Sequence, residues 1–122
     1  MSDSSTFMAY LDAHPRSAEL LDLLRQVIRE LGPAEETISK SQVAFQRTRD
    51  VALVWAPGQY LGERGAPLVL TLGFPEQDPS PRWKEIVEPR RGWFVHHLEL
   101  HAADDIDDQV KTWIRRAYDH AA

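Results

Sequence analysis

The chain has no cysteine among its 122 residues. That absence removes disulfide scaffolds, thiolate zinc sites, iron–sulfur clusters and thiol nucleophiles, and it fits a reducing compartment. Basic charge is also short: 14 Lys and Arg stand against 19 Asp and Glu, a formal net charge of -5. Generic nucleic-acid binding is therefore not expected, because phosphate affinity comes from clustered cations that release counterions. No apolar run is long enough to span a bilayer, and the opening MSDSSTFMAYLDAHP has no basic stretch leading into an apolar one. Neither a secretory signal nor a membrane anchor is expected, and the location read from these features is cytoplasmic. Glycine is scarce, and Gly58, Gly62 and Gly65 match neither a phosphate-binding loop nor a dinucleotide fingerprint. No cofactor is expected. Ser39 and Ser41 lack the flanking glycines of a nucleophile elbow, so covalent hydrolysis has no support.

Hydrophobic residues make up 43% of the chain and charged residues 27%, the balance of an ordinary globular protein. We read residues 1–122 as a single domain. At this length a fold buries roughly two-thirds of the surface its unfolded chain exposes, so it needs no metal or disulfide staple.

The spacing predicts a short helix over residues 5–13, with Phe7, Tyr10 and Leu11 on one side, ended by His14-Pro15 because a residue before proline avoids helical angles. A longer helix is predicted over residues 16–31, where Leu20, Leu21, Leu24, Val27, Ile28 and Leu31 recur every three or four residues and Gly32-Pro33 closes the pattern. The period then shortens, predicting strands over residues 37–46, 51–56, 68–74 and 93–100. Thr48-Arg49-Asp50 reads as a hairpin turn, and Pro57-Gly58 and residues 62–67 read as longer loops. A last helix begins near Asp104 or Asp105 and carries Ile106, Val110, Trp113, Ile114 and Ala117 inward. The fold class is α+β: a two-layer sandwich in which two N-terminal helices and one C-terminal helix pack on one face of an antiparallel sheet.

One sheet face then stays open, and period-two alternation sorts the residues. Leu68, Leu70, Leu72 and Phe74 point inward, leaving Val69, Thr71 and Gly73 outside. On the last strand Phe94, His96, Leu98 and Leu100 point inward, with Val95, His97, Glu99 and His101 outside. Val43 and Phe45 belong inside, which sends Lys40, Gln42, Ala44 and Gln46 to the open face. On the strand over 51–56 the larger set, Val51, Leu53 and Trp55, is taken as inward.

The most unusual stretch is DPSPRWKEIVEPRRGWFVHHLEL at residues 78–100, a proline-punctuated cationic and aromatic loop that runs into a strand with two histidines. Arg82, Trp83 and Lys84, with Arg90 and Arg91 beyond them, could form a stacking, cationic rim. His96 is read as a buried neutral imidazole bonded to its surroundings. His97, Glu99 and His101 suggest a zinc or iron site, yet a rise of roughly 3.3 Å per residue puts the outer two about 13 Å apart at Cα, too far to share one ion. Asp104, Asp105, Asp107 and Asp108 sit where carboxylates cap a helix N-terminus.

Three blocks, GPAEETISKSQVAF at residues 32–45, LVLTLGFPEQDPSPRWKEIVEP at 68–89 and HHLELHAADDIDDQV at 96–110, resemble the bacterial domain-of-unknown-function family 5655. That family is distantly similar to the YdhG-like group, which includes frataxin-like iron chaperones and whose two-layer fold agrees with the one read above. The resemblance carries no catalytic or binding residues to this chain. It implies an accessory binding or interaction module.

The first reading is a non-enzymatic cytoplasmic module that binds a small anionic or planar ligand, or a protein partner, on the open sheet face. Lys40, Gln42, Thr71, His97 and Glu99 line the site, with Arg82 and Trp83 as its rim. The alternative is an iron or zinc binder using His97, Glu99 and His101 with the acidic cluster from Asp104 to Asp108. The third is an enzyme with His97 and Glu99 as an acid–base pair. A homodimer through the open face competes with all three.

Overall fold

The structure is a computed structural model that describes residues 4–61 and 65–122. Two helices come first, α1 (Ser4–Ala13) and α2 (Pro15–Leu31). Proline suits the first turn of α2, where its missing N–H costs no helical bond. The helix stops at Gly32, whose φ of 145° lies where an L side chain rarely goes. The strands follow as β1 (Glu35–Ile38), β2 (Gln42–Gln46), β3 (Asp50–Trp55), β4 (Leu68–Phe74), β5 (Glu85–Arg90) and β6 (Trp93–Leu100). A single-turn helix, α3 (Gly58–Leu61), leaves β3, and α4 (Asp108–His120) ends the fold.

All six strands pair antiparallel in the order β1-β2-β3-β4-β6-β5. Leu20, Leu21, Leu24 and Ile28 of α2 and Val110, Trp113 and Ile114 of α4 join one buried cluster with Val43, Val54, Leu70 and Leu98 of the sheet. Each fully buried leucine contributes roughly 1.5–3 kcal/mol relative to exposure. The helices thus cover one sheet face, giving the expected α+β arrangement with two N-terminal helices and one C-terminal helix. Asp107 caps α4 through its carboxylate, which accepts the Val110 N–H at 3.1 Å. Asp105 likewise accepts the His101 N–H at 2.8 Å. Asp105 and Asp107 therefore act as turn and helix caps, and α4 starts a few residues later than the sequence pattern indicates.

Three expectations about the sheet need correction. Residues 37–46 do not form one strand: Ser39–Ser41 turn the chain, with Ser39 Oγ facing the Gln42 N–H and the Ser39 N–H bonded to the Gln42 carbonyl at 2.9 Å. A serine turn does this without Gly or Pro to announce it. On β3 Leu53 and Trp55 are not inward: the inward set is Ala52, Val54 and Ala56, paired in register with Phe45 and Leu70, and of the expected larger set only Val51, at the register shift, joins the core. Helix α4 packs against β3, and small side chains leave room for that helix. Finally, β5 lies where a loop was expected. Its pairing to β6 shifts register between Val87 and Arg90, around Pro89, as proline requires on an edge strand. The loop expected over residues 62–67 lies, at 62–64, outside the described residues.

Candidate functional site

The open face is built from cross-strand rows. One row runs Gln42, Trp55, Val69, Glu99, and the next runs Ala44, Leu53, Thr71, His97, Glu85. Because β6 lies between β4 and β5, His97 has Thr71 on one side and Glu85 on the other. After β3, Pro57 and Gly58 turn the chain, and Pro57 with Gly65 walls one end of a hollow of about 180 Å³. Trp55 and Val69 form its apolar part, and Lys84, Glu85, His97 and Glu99 form its polar part. This end of the open face is not bare: Val69 is only 3% exposed and Thr71 6%. A shallower hollow of about 90 Å³ lies farther along, between Leu53, Thr71, Gly73, Trp93 and Val95. Gly73 is needed there, since a Cβ would come within 2.5 Å of the Trp93 ring.

His97 is held by a 2.8 Å hydrogen bond between its Nδ1 and Thr71 Oγ1. Its Nε2 has no hydrogen-bond partner among the described residues, and the residue lines the hollow. Burial pushes the His97 pKa below its ordinary value and the Glu85 carboxylate partly counters this, so the imidazole is neutral at pH 7. Lys84 Nζ lies 3.1 Å from Glu99 Oε2, while Glu99 Oε1 is 3.7 Å from His101 Nε2. Lys84, the only cation in the lining among the described residues, is therefore engaged by a carboxylate. Glu85 has no ion pair among the described residues.

The residues picked out from the sequence divide among three places. Thr71, His97 and Glu99 meet on the open face, and Gln42 lies in the same row as Glu99, two strands beyond Val69. Lys40 stands exposed in the β1–β2 turn, where its carbonyl accepts from Gln59 Nε2 at 3.2 Å. Arg82 and Trp83 are on the helix side. Arg82 Nη1 donates to Asp107 and to Gln109 Oε1 at 2.8 Å, and Nη2 to the Asp105 carbonyl at 3.2 Å. Trp83 is 8% exposed, stacks 4.1 Å from Trp113 and 4.8 Å from His96, and donates Nε1–H to Asp78 Oδ1 at 3.0 Å. A loop tryptophan can fold under a helix when its N–H finds a carboxylate, and here Asp78 supplies one.

His96 is fully buried. Its Nε2 accepts the Asp78 N–H at 3.0 Å, so Nδ1 carries the proton and donates to the Phe94 carbonyl at 3.1 Å. Burial lowers its pKa against the smaller opposing effects of neighbouring carbonyls and Asp78. Burial raises the Asp78 pKa, but the Ser80 N–H, the indoles of Trp83 and Trp113 and the Arg116 charge together outweigh it and leave the carboxyl below its ordinary value. The set His97, Glu99 and His101 does not converge: no group of three such ligands gathers among the described residues.

Sequence alternation missed Trp55, Val69 and Glu85. Trp55 was assigned to the wrong face, Val69 was too ordinary to single out, and Glu85 belonged to a strand hidden by proline. The signal that could have found Trp55 is the pair of alanines flanking it in alternation, Ala52 and Ala56, which suit a face pressed by helices.

What the fold and this hollow define is an α+β domain with a covered sheet face and a pocketed open one. The chain belongs to the family described as domain of unknown function DUF5655, which matches residues 8–121. No curated protein and no solved structure matches the chain. Among the described residues no helix is long and apolar enough to cross a membrane.

Proposed function

We propose that this protein is a non-enzymatic binding module whose open-face hollow takes a small planar molecule. The observation that carries this reading is the convergence of Trp55, Val69 and Pro57 with a positioned imidazole around one concave space of about 180 Å³. Sites for drug-sized ligands run roughly 300–1,000 Å³, so the occupant is small. The anionic half of the sequence-based expectation loses its support, because Lys40 and Arg82 stand elsewhere and Lys84 is paired. An acid–base enzyme is less well supported, since Glu99 engages Lys84 rather than His97 and no activated nucleophile adjoins the imidazole.

Fragment screening by NMR on the labelled chain tests the proposal. Planar fragments are expected to shift the Trp55 indole and His97 ring signals, and Trp55→Ala and His97→Ala each to weaken binding at least fivefold. Hits unaffected by both substitutions would move the site elsewhere.

A second copy packed over the open face is the competing occupant. Val87, 39% exposed beside Val95 on β6, is the apolar area that favours it. A concentration-dependent dimer in sedimentation, abolished by Val87→Lys, would establish that alternative. Kinship with the YdhG-like group and residence in the cytoplasm remain proposals, supported by the two-layer arrangement and by the cysteine-free composition. The same holds for the reading of residues 1–122 as one domain, supported by the single sheet and core.

A further inference from the structure

Resting on the reading of the hollow as a ligand site, we propose that it selects a small planar cation, a conjugated amine or amidine, over neutral and anionic molecules of the same shape. Charge is the first reason. Among the described residues the lining holds two carboxylates, Glu85 and Glu99, against one ammonium, Lys84, and that ammonium lies 3.1 Å from Glu99. Glu85 is left without an ion-pair partner among the described residues, across from His97 at the edge of the sheet. An anion entering here meets a net negative charge, whereas a cation offsets it, and because Glu85 is itself exposed water screens part of this preference.

The aromatic partners supply the second reason. Trp93, also on the open face, has the Arg90 guanidinium 5.4 Å from its ring. On the covered side Trp113 has Arg82 at 5.6 Å and Phe74 has Arg116 at 4.3 Å. Trp55 is half-buried in the hollow and has no protein cation on its ring among the described residues. An indole face attracts cations by roughly 0.5–2 kcal/mol, more when water is excluded. Trp55 thus offers to a ligand what Trp93, Trp113 and Phe74 have already received from arginine.

His97 completes the site as an acceptor. In the tautomer whose Nδ1–H donates to Thr71 Oγ1, the Nε2 lone pair accepts a hydrogen bond from an amine or amidine N–H, and the cation selects that tautomer. A planar cation can therefore stack on Trp55, pair with Glu85 and donate to His97 at once.

Three isosteric probes separate this inference from the reading it rests on: benzamidine, benzamide and benzoate, titrated at pH 7.5 into the full chain while the Trp55 indole N–H signal is followed. Benzamidine is expected to bind about tenfold more tightly than benzoate, with benzamide between them. Glu85→Gln is expected to reduce benzamidine affinity about fivefold while benzamide changes less than twofold. Benzoate binding as tightly as benzamidine, or a Glu85→Gln variant with unchanged preference, overturns the cation selectivity and leaves the pocket standing. No response of Trp55 to any probe at millimolar concentration overturns both.

Discussion

Trp83 and His96 lie on the helix-covered face of the sheet, and Trp55 and His97 lie on the open face, so the same two residue types stand on both sides of β6. On the covered side every polar atom of the pair is matched. The Trp83 indole N–H meets Asp78, and the two His96 nitrogens meet the Asp78 N–H and the Phe94 carbonyl. Trp113 and Phe74 close over both rings. On the open side Thr71 holds one nitrogen of His97 and leaves the other unmatched, and Trp55 borders a hollow rather than a neighbouring ring. A tryptophan–histidine pair is a structural element when its hydrogen bonds are complete and a recognition element when one is left over.

Truncation of the tryptophans tests that contrast most strongly. Trp83→Ala empties a buried site and takes one of its hydrogen bonds from the Asp78 carboxylate, and it is expected to cost about 3–5 kcal/mol. Trp55→Ala is expected to cost on the order of 1 kcal/mol. Urea unfolding followed by circular dichroism measures both, and equal losses would erase the distinction between the faces.

The histidines give the second test, through pH. Burial holds both below the ordinary value of 6.5. Below that value the unfolded chain takes up protons that the folded chain refuses, so the stability tied to the neutral rings is complete above about pH 6.5 and is lost as the pH falls. His96→Gln is expected to cost about 2–3 kcal/mol at pH 7.5, because the Asp78 N–H loses a well-placed acceptor in a dry site. His97→Gln is expected to cost less than about 1 kcal/mol. Both should flatten the loss of stability between pH 6.5 and 5, measured as unfolding midpoints across that range. Steeper acid sensitivity in either variant would contradict the assignment of neutral rings.

Arg82 sharpens the boundary between the two regions. Its guanidinium ties the loop before β5 to the N-terminus of α4 through Asp107, whose pKa is lowered first by the Val110 N–H and then by Arg82. Arg82→Ala is expected to cost on the order of 1 kcal/mol and to leave probe affinity at the open-face hollow unchanged. A drop in affinity would return Arg82 to the rim that its sequence context suggested.

The helices were readable because an apolar stripe every three or four residues survives any detail of packing. Strands β4 and β6 were readable for the parallel reason, with Leu68, Leu70 and Leu72 and then Leu98 and Leu100 alternating cleanly. The same alternation separated His96 from His97. Elsewhere the local signal was weak or pointed the wrong way. Size suggested that Leu53 and Trp55 face the core, but α4 presses on β3 and selects alanine there. Edge strand β5 carries charge and proline, which protect a free edge and disguise it as a loop. The turn at residues 39–41 rests on a serine hydroxyl, a device that composition does not advertise.

By itself the sequence determined the class of fold, the covered face of the two outer helical segments, the lack of thiol chemistry and the division of two neighbouring histidines. These depend on local periodicity and on which side-chain chemistries the chain contains. Tertiary structure alone decided that Trp83 is core and Trp55 is not, that Lys40 and Arg82 stand away from His97, and that Glu85 joins it. Those outcomes depend on strand order. Placing β5 outside β6, beyond β4, brings residues 55, 69, 85 and 97 to one hollow, and no spacing along the chain encodes a neighbour relation made by pairing across a sheet.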